Sequence, residues 1–373
     1  MYKMKTAKLV LLLGMSFGLP GLTFAQQPIT LKDALKYALD NNTAAKKAVL
    51  EMEKGKYKTQ EVRAQALPQI NGNAGLTYNA IIGQLVADIG GQTQSFKMGQ
   101  SWNSIAGVQL TQQLFNQQVF TGLQAARSSE NYYRLNAQLT QEQVIEQVAN
   151  NYYEVLVYRE QSKVVENNIK NVKVIEKIIA NQYQNGLAKK IDVDRISVNL
   201  TNLVAQQTQI SNTITTLENQ LKFSMGMPVH TSIKLPSSEL TEVSQSPVLA
   251  DTLNMSGRTE MQLLDVQKKL LDLQRKAYVS EYYPTLALTA NYNYNSQSNG
   301  FDFLTTNRNA IGYDASAIGL TLRIPIFNGF LTRSKIRQAD VEIKQFEIDR
   351  FETKNALNMA YENAKIQLIN SIN

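Results

Sequence analysis

The feature that most constrains this chain is an unbroken helical stretch from about Phe120 to Gln184. It contains no proline, and its one glycine, Gly122, lies in the first turn. Apolar residues recur along it mostly at steps of three and four: Leu135, Leu139, Ile145, Val148, Tyr152, Val155, Val165, Ile169, Val172, Ile175, Ile178 and Ile179. At ~1.5 Å per residue, such a helix is roughly 100 Å long, which far exceeds a typical globular helix.

A second helical segment follows, and the two are predicted to form a hairpin over about 120–224. In the turn, we expect Gly186 to adopt the left-handed conformation that ends a helix. Asp192 lies where a negative charge favours the N-terminus of the next helix. Leu187 would be exposed at this tip, and exposed tips of rigid hairpins are natural docking points. Capping alone explains the turn equally well.

Two segments with period-two alternation precede the hairpin, over about 69–82 and 101–115. Asn71 and Thr77 lie on the polar face of the first, and Gln109 lies on that of the second. Such alternation predicts half-buried strands. A transmembrane barrel strand needs about ten residues with one apolar and one polar face, although a soluble β-sandwich could show the same pattern.

The same order of elements occurs again later in the chain. Pro68 and Pro284 lie 216 positions apart, and Phe115 and Phe327, each followed by Asn, lie 212 apart. The second pair of strands is predicted over about 285–295 and 311–327, with Arg323 on its polar face. The chain is therefore predicted to hold two tandem copies of a helix–strand–loop–strand–long helix unit, in residues 26–225 and 258–373, joined by a connecting segment over 226–257.

The duplication also predicts where a second helical turn should fall. Moving Gly186 by the offset between the copies gives a position near 398, whereas the sequence given has 373 residues. We therefore expect the second repeat to be incomplete, with a truncated long helix.

The first 25 residues are predicted to be a secretory signal peptide, with Lys3, Lys5 and Lys8 before an apolar run and a Thr23-Phe24-Ala25 cleavage site. No later stretch has 18 or more apolar residues, so no transmembrane helix is predicted. The absence of cysteine excludes disulfides and a lipid-attachment cysteine. The net charge of +7 is scattered and mild, which argues against nucleic-acid binding.

The sequence gives little support for catalysis. His230 is the only histidine, and it lies in a predicted loop. The usual nucleophile, metal and phosphate motifs are absent. We therefore predict no catalytic, cofactor-binding or metal-binding residue, and an exported enzyme is the weakest interpretation.

An ordered set of short motifs resembles the TolC-like outer membrane efflux protein family over essentially residues 29–373. The matching segments are the opening helix at 29–42, the helix-to-strand junction at 66–70, the tip at 183–193, the end of the returning helix at 225–228 and the strand-to-helix exit at 325–329. Lys189 departs from the family pattern, which often has a Ser or Thr cap at this position.

The resemblance implies a mainly α protein with transmembrane β-structure, a TolC-like α/β-barrel protomer that gives four strands to the shared barrel of a homotrimer. It implies a location in the Gram-negative outer membrane with an extension into the periplasm. The implied function is a duct in a tripartite efflux or type I secretion system, which passively conducts small molecules or exported proteins. The implied partners are outer membrane lipid, an inner-membrane pump and a periplasmic adaptor, which contacts Gly186, Leu187 and Asp192.

A duct predicts that Asn71, Thr77, Gln109 and Arg323 line a water-filled pore. The alternative is a structural or adhesive envelope protein that is built of long helices and does not conduct.

Overall fold

The structure, a computed structural model, describes residues 28–236, 254–301 and 310–372. The predicted signal peptide and parts of the predicted connecting segment and second strand–strand loop lie outside the described residues. The described residues form two compact units. The first comprises 28–35, 150–223 and 227–236, and the second comprises 36–149, 224–226, 254–301 and 310–372.

The chain contains six α-helices and six strands in its described part. The helices are α1 (Leu31–Asn41), α2 (Thr43–Ala64), α3 (Gln117–Gln184), α4 (Lys190–Met225), α5 (Thr259–Ser280) and α6 (Leu331–Ile372). The strands are β1 (Gln69–Tyr78), β2 (Gln84–Ile89), β3 (Gln92–Lys97), β4 (Trp102–Phe115), β5 (Thr285–Ser298) and β6 (Ile311–Arg323).

The four predicted strands form one antiparallel sheet in the second unit, in the order β1-β4-β5-β6. The predicted duplication is confirmed, because helix–strand–strand–helix occurs first as α2-β1-β4-α3 and again as α5-β5-β6-α6. The central pair, β4 and β5, joins the two copies through a ladder that runs from Trp102 opposite Ser298 to Phe115 opposite Leu286.

The strand ends differ from the prediction for identifiable reasons. β1 ends at Tyr78, not near residue 82, because the chain turns there into an unpredicted hairpin of β2 and β3. Tyr78 pairs with Trp102, whereas Gln84 pairs with Lys97, so the hairpin is one residue out of step with the main ladder and irregular residues must separate them. β6 ends at Arg323, not near 327, since Pro325 has no N–H for a ladder.

β5 is longer than predicted, because it reaches Ser298 instead of ending near residue 295. Its last residues pair with the start of β4, and this pairing keeps them in the strand conformation. A local period-two pattern in β5 contains no information on where its partner strand begins, so it could not predict this end.

The first unit is built on the hairpin of α3 and α4. Val165, Ile169 and Ile210 form a buried cluster, and further apolar side chains pack on it: Tyr158, Leu200, Leu203 and Ile214. At about 1.5–3 kcal/mol for each fully buried aliphatic side chain, this cluster is the main force that holds the two helices together here. Arg159 and Glu218 add a half-buried ion pair with a 2.6 Å separation between the helices.

The start of α1 is capped by the side chains of Thr30 and Asp33. The Asp33 backbone N–H donates to Thr30 Oγ1 at 3.2 Å, and the Thr30 N–H donates to Asp33 Oδ2 at 3.4 Å. The reciprocal pair satisfies two of the donors that a helix start leaves open.

In the second unit, α5 packs against α6. Four ion pairs link the two helices and the residue that caps α5: Lys335–Glu281, Arg275–Asp340, Lys268–Glu347 and Arg350–Asp265. They follow one another in antiparallel order along the helices. Exposed pairs contribute only about 0–1 kcal/mol each, so their main effect is to fix how α5 is aligned on α6.

Candidate functional site

The sheet has one polar and one apolar face. We call the face formed by odd-numbered residues of β1, β4, β5 and β6, from Gln69 to Arg323, the polar face. The register keeps this parity from strand to strand, because odd-numbered residues pair with odd-numbered residues throughout the regular ladder. Its amide and hydroxyl side chains are Gln69, Asn71, Asn73, Thr77, Asn103, Gln109, Thr111, Gln113, Thr285, Thr289, Asn291, Asn293, Asn295, Gln297, Tyr313 and Thr321. Its apolar side chains are Ile105, Ala287, Ile311, Ala315 and Ala317, three of them in the first half of β6.

Two of the predicted pore-lining residues are direct neighbours across strands. Asn71 of β1 lies opposite Gln109 of β4, and Gln109 lies opposite Asn291 of β5. Residues opposite each other on an antiparallel pair have their Cβ atoms about 4.5–5.5 Å apart. The three amides therefore form a polar row across three strands.

The other two predicted residues lie on the same face but far from this row. Thr77 lies near the end of β1, opposite Asn103. Arg323 is the last residue of β6 and lies opposite Thr285, the first residue of β5. The structure therefore puts all four predicted residues on the polar face, brings Asn71 and Gln109 together, and separates Thr77 and Arg323 to opposite ends.

Sequence reasoning missed the contribution of β5 to this face. Asn291, Asn293 and Asn295 alternate with Tyr292 and Tyr294, and this alternation is visible in the sequence. Asn293 extends over Gly107 of the neighbouring strand, where a side chain would collide with it. The alternating asparagines were the signal that could have identified these residues.

The opposite face, formed by even-numbered residues, is mainly apolar and has aromatic rings toward both ends. Ile318 and Leu320 are 81% and 66% exposed on it. At one end, the Tyr78 and Trp102 ring centroids are 4.7 Å apart. At the other, a register shift after Gln113 puts Phe115 opposite Leu286 on this face, and its ring centroid lies 6.2 Å from that of Phe120 in α3. An apolar band between two aromatic girdles is typical of a sheet that faces lipid.

A polar cluster links α5 to α6 beside the end of the sheet where Arg323 lies. Glu281, which follows α5, accepts hydrogen bonds from Lys335 Nζ and Thr332 Oγ1, both at 2.7 Å. Burial opposes ionisation of this carboxyl, but the two donors outweigh it and lower the pKa of Glu281. The charged carboxylate thus joins the end of α5 to the first turns of α6.

The tip of the α3–α4 hairpin has the predicted geometry. The φ of Gly186 is +73°, and the Leu187 N–H donates to Gln182 O at 2.8 Å, which ends α3 in a left-handed cap. Leu187 is 79% exposed, and Asp192 lies in the first turn of α4. The tip is therefore a hydrogen-bonded turn that presents an apolar side chain to solvent.

Two other classes of feature are absent from the ranges that the structure describes. No group of three or more His, Cys, Asp or Glu side chains there is arranged to hold a metal ion. Within the same ranges, no helix combines the length and the apolar character needed to span a bilayer.

Comparison with known proteins agrees with this architecture. Residues 34–227 match the outer membrane efflux protein family. Outer membrane protein TolC of Vibrio cholerae serotype O1 is 23% identical over 248 residues, which are 63% of this chain and 53% of TolC. The chain thus spans about half the length of this curated relative.

Solved outer membrane channels share the fold. For VceC of Vibrio cholerae the TM-score is 0.67 at 16% identity, with 87% of this chain and 75% of VceC covered. For CmeC of Campylobacter jejuni it is 0.65 at 15% identity, with 91% and 70% covered. The family match covers more than half of the chain, and the fold agrees with it. The chain therefore belongs to the outer membrane efflux protein family, whose place is the Gram-negative outer membrane with an extension into the periplasm.

Proposed function

We propose that this chain forms the outer-membrane duct of a tripartite efflux or type I secretion system. The duct passively conducts small molecules or exported proteins across the periplasm and the outer membrane. The observation that carries this proposal is the two-faced sheet, in which a face rich in amides and hydroxyls lies opposite a mainly apolar face with aromatic rings toward its ends.

The open edges of the sheet support assembly from several copies. β1 and β6 are the edge strands, so each leaves one row of backbone N–H and C=O groups without a strand partner in the sheet. In a bilayer, unpaired backbone groups cost several kcal/mol each, and only a closed barrel satisfies them. Four strands are too few to close alone, since known single-chain barrels have at least eight. A homotrimer would close β1 of one copy on β6 of the next.

Conductance tests the duct directly. We expect the full-length protein, reconstituted in a planar lipid bilayer in KCl, to open discrete conducting steps whose current is proportional to voltage. A polar, water-filled barrel conducts without an energy source, so no nucleotide is needed. Protein that inserts into the bilayer and never conducts would contradict the duct and favour the non-conducting structural or adhesive alternative.

The tip is the proposed contact for a periplasmic adaptor, through Gly186, Leu187 and Asp192. Leu187 is exposed and packs on no core, so replacing it should leave the fold intact. An apolar anchor at the centre of a protein contact is a typical hot spot, worth about 2 kcal/mol or more. The adaptor would in turn connect the duct to an inner-membrane pump.

Leu187→Glu tests this contact. With a photo-crosslinking residue at position 189, we expect an adaptor-class periplasmic protein to be crosslinked in cells and the yield to fall at least about tenfold in Leu187→Glu. The matched control is Val198→Glu, since Val198 is 60% exposed on the same hairpin but lies away from the turn. Equal yields in both variants would rule out adaptor contact through Leu187.

A further inference from the structure

Charge is distributed very unevenly over the four strands of the main sheet. β1, β4 and β5 contain no charged residue, and β6 contains two, Asp314 and Arg323. Asp314 pairs with Tyr294 on the apolar face, whereas Arg323 pairs with Thr285 on the polar face. Arg323 is thus the single charged residue of the polar face.

The Arg323 guanidinium has no neutralising partner among the residues that the structure describes. Asp314 lies on the other face, where its Oδ1 accepts a hydrogen bond from Tyr292 Oη at 2.9 Å. Glu281 is the acidic residue that lines a cavity of about 440 Å³ together with Arg323. Its carboxylate is already paired with Lys335 at 2.7 Å. The end of the polar face therefore keeps a net positive charge.

The surrounding polar face cannot cancel this charge. The neighbours of Arg323 on its face are Thr321, Thr285 and Ala287, and none of them ionises. Farther along, the face carries amides and hydroxyls, which solvate ions of either sign, and a few uncharged apolar side chains. The sign of the electric field at this end of the polar face is therefore set by Arg323.

We propose that Arg323 makes the sheet-lined part of the duct selective for anions, so that neutral and anionic cargo passes this end more readily than cationic cargo. This inference rests on the proposed function, in which the polar face lines a pore. With several copies around one axis, the guanidinium groups would form a ring at one depth. Rings of basic side chains favour anions in this way.

The size of the effect follows from screening. The Debye length is about 8 Å at 0.15 M salt and about 3 Å at 1 M. Charged groups that line a pore therefore attract or repel passing ions mainly at low salt. We expect a chloride-to-potassium permeability ratio of about 2 to 5 at or below 0.1 M KCl, which falls toward 1 at 1 M.

Reversal potentials measured in planar bilayers across a KCl gradient test this proposal. In Arg323→Gln, we expect the permeability ratio to fall at least about twofold, and in Arg323→Glu we expect the preference to reverse toward potassium. Arg323→Lys keeps the charge and should keep the selectivity. Asp314→Asn is the matched control, because it removes a charge from the same strand on the opposite face, and we expect no change.

The outcomes separate this inference from the function on which it rests. Channels that open normally and have the same reversal potential in wild type, Arg323→Gln and Arg323→Glu would overturn the role of Arg323 and leave the duct intact. A change in Asp314→Asn equal to that in Arg323→Gln would also overturn it, because the selectivity would then not depend on the polar face. The absence of any conductance in the wild type would overturn the proposed function and this inference with it.

Discussion

Gly107→Val should prevent the sheet from forming. Gly107 lies in β4, between Asn73 of β1 and Asn293 of β5, so its strand is paired on both sides. A Cβ atom at this position would lie 2.6 Å from the Tyr292 carbonyl oxygen and would collide with the Asn293 side chain. Asn293 can rotate away, but the carbonyl belongs to the ladder and cannot.

This substitution should lower the stability of the sheet, whereas glycine-to-valine changes in strands usually raise it. Valine is normally favoured in strands over glycine. Here, overpacking against backbone should destabilise the sheet by about 3 kcal/mol or more. We expect the protein to be lost from the outer membrane fraction. The circular dichroism spectrum of any variant protein that is recovered should lack the strand contribution.

Gly319→Val is the matched control for this prediction. Gly319 also lies on the polar face, but the first atom that a Cβ atom would meet there, Thr289 Oγ1, is 3.8 Å away. We expect this variant to reach wild-type levels. If Gly107→Val folds as well as Gly319→Val does, the register of β4 on β5 is not the one described above.

The sequence predicted the parts of this fold that depend on local periodicity. The four main strands follow from period-two alternation, and α3 follows from apolar residues at three- and four-residue steps. The left-handed Gly186 follows from its place between two helical patterns. Each of these features is determined by residues that are close together in the chain.

The features that the sequence did not predict depend on distant residues or on weak patterns. The pairing of β4 with β5 joins residues about 190 positions apart, such as Asn103 and Gln297, and no local signal specifies it. The β2–β3 hairpin was missed because its strands have only six residues each and polar and apolar side chains are mixed on both faces. Gly90 and Gly91, with φ of +67° and +82°, form its turn and were the available signal.

For the candidate site as well, local patterns predicted one part of the arrangement, and the pairing of distant residues determined the rest. The identity of the polar face could be inferred strand by strand, so Asn71, Thr77, Gln109 and Arg323 were predicted to share one environment. The row from Asn71 through Gln109 to Asn291 required the register of three strands. The isolation of Arg323 from any acidic partner required the knowledge that Glu281 pairs with Lys335.

The central claim is that the polar face lines a water-filled pore while the apolar face contacts lipid. Accessibility to water should therefore alternate from one residue to the next along each strand. The chain contains no cysteine, so single cysteine substitutions can be labelled without a background. A thiol reacts as its thiolate, which forms in water and is strongly disfavoured in lipid.

The decisive measurement is the rate at which a membrane-impermeant maleimide, added outside intact cells, labels paired cysteine variants of the full-length protein. Asn71→Cys, Thr77→Cys, Gln109→Cys and Arg323→Cys should label readily. The matched neighbours on the apolar face, Ile70→Cys, Leu76→Cys, Leu110→Cys and Leu322→Cys, should label roughly tenfold or more slowly. Equal rates within these pairs, or faster labelling of the even-numbered positions, would contradict a pore lined by the polar face.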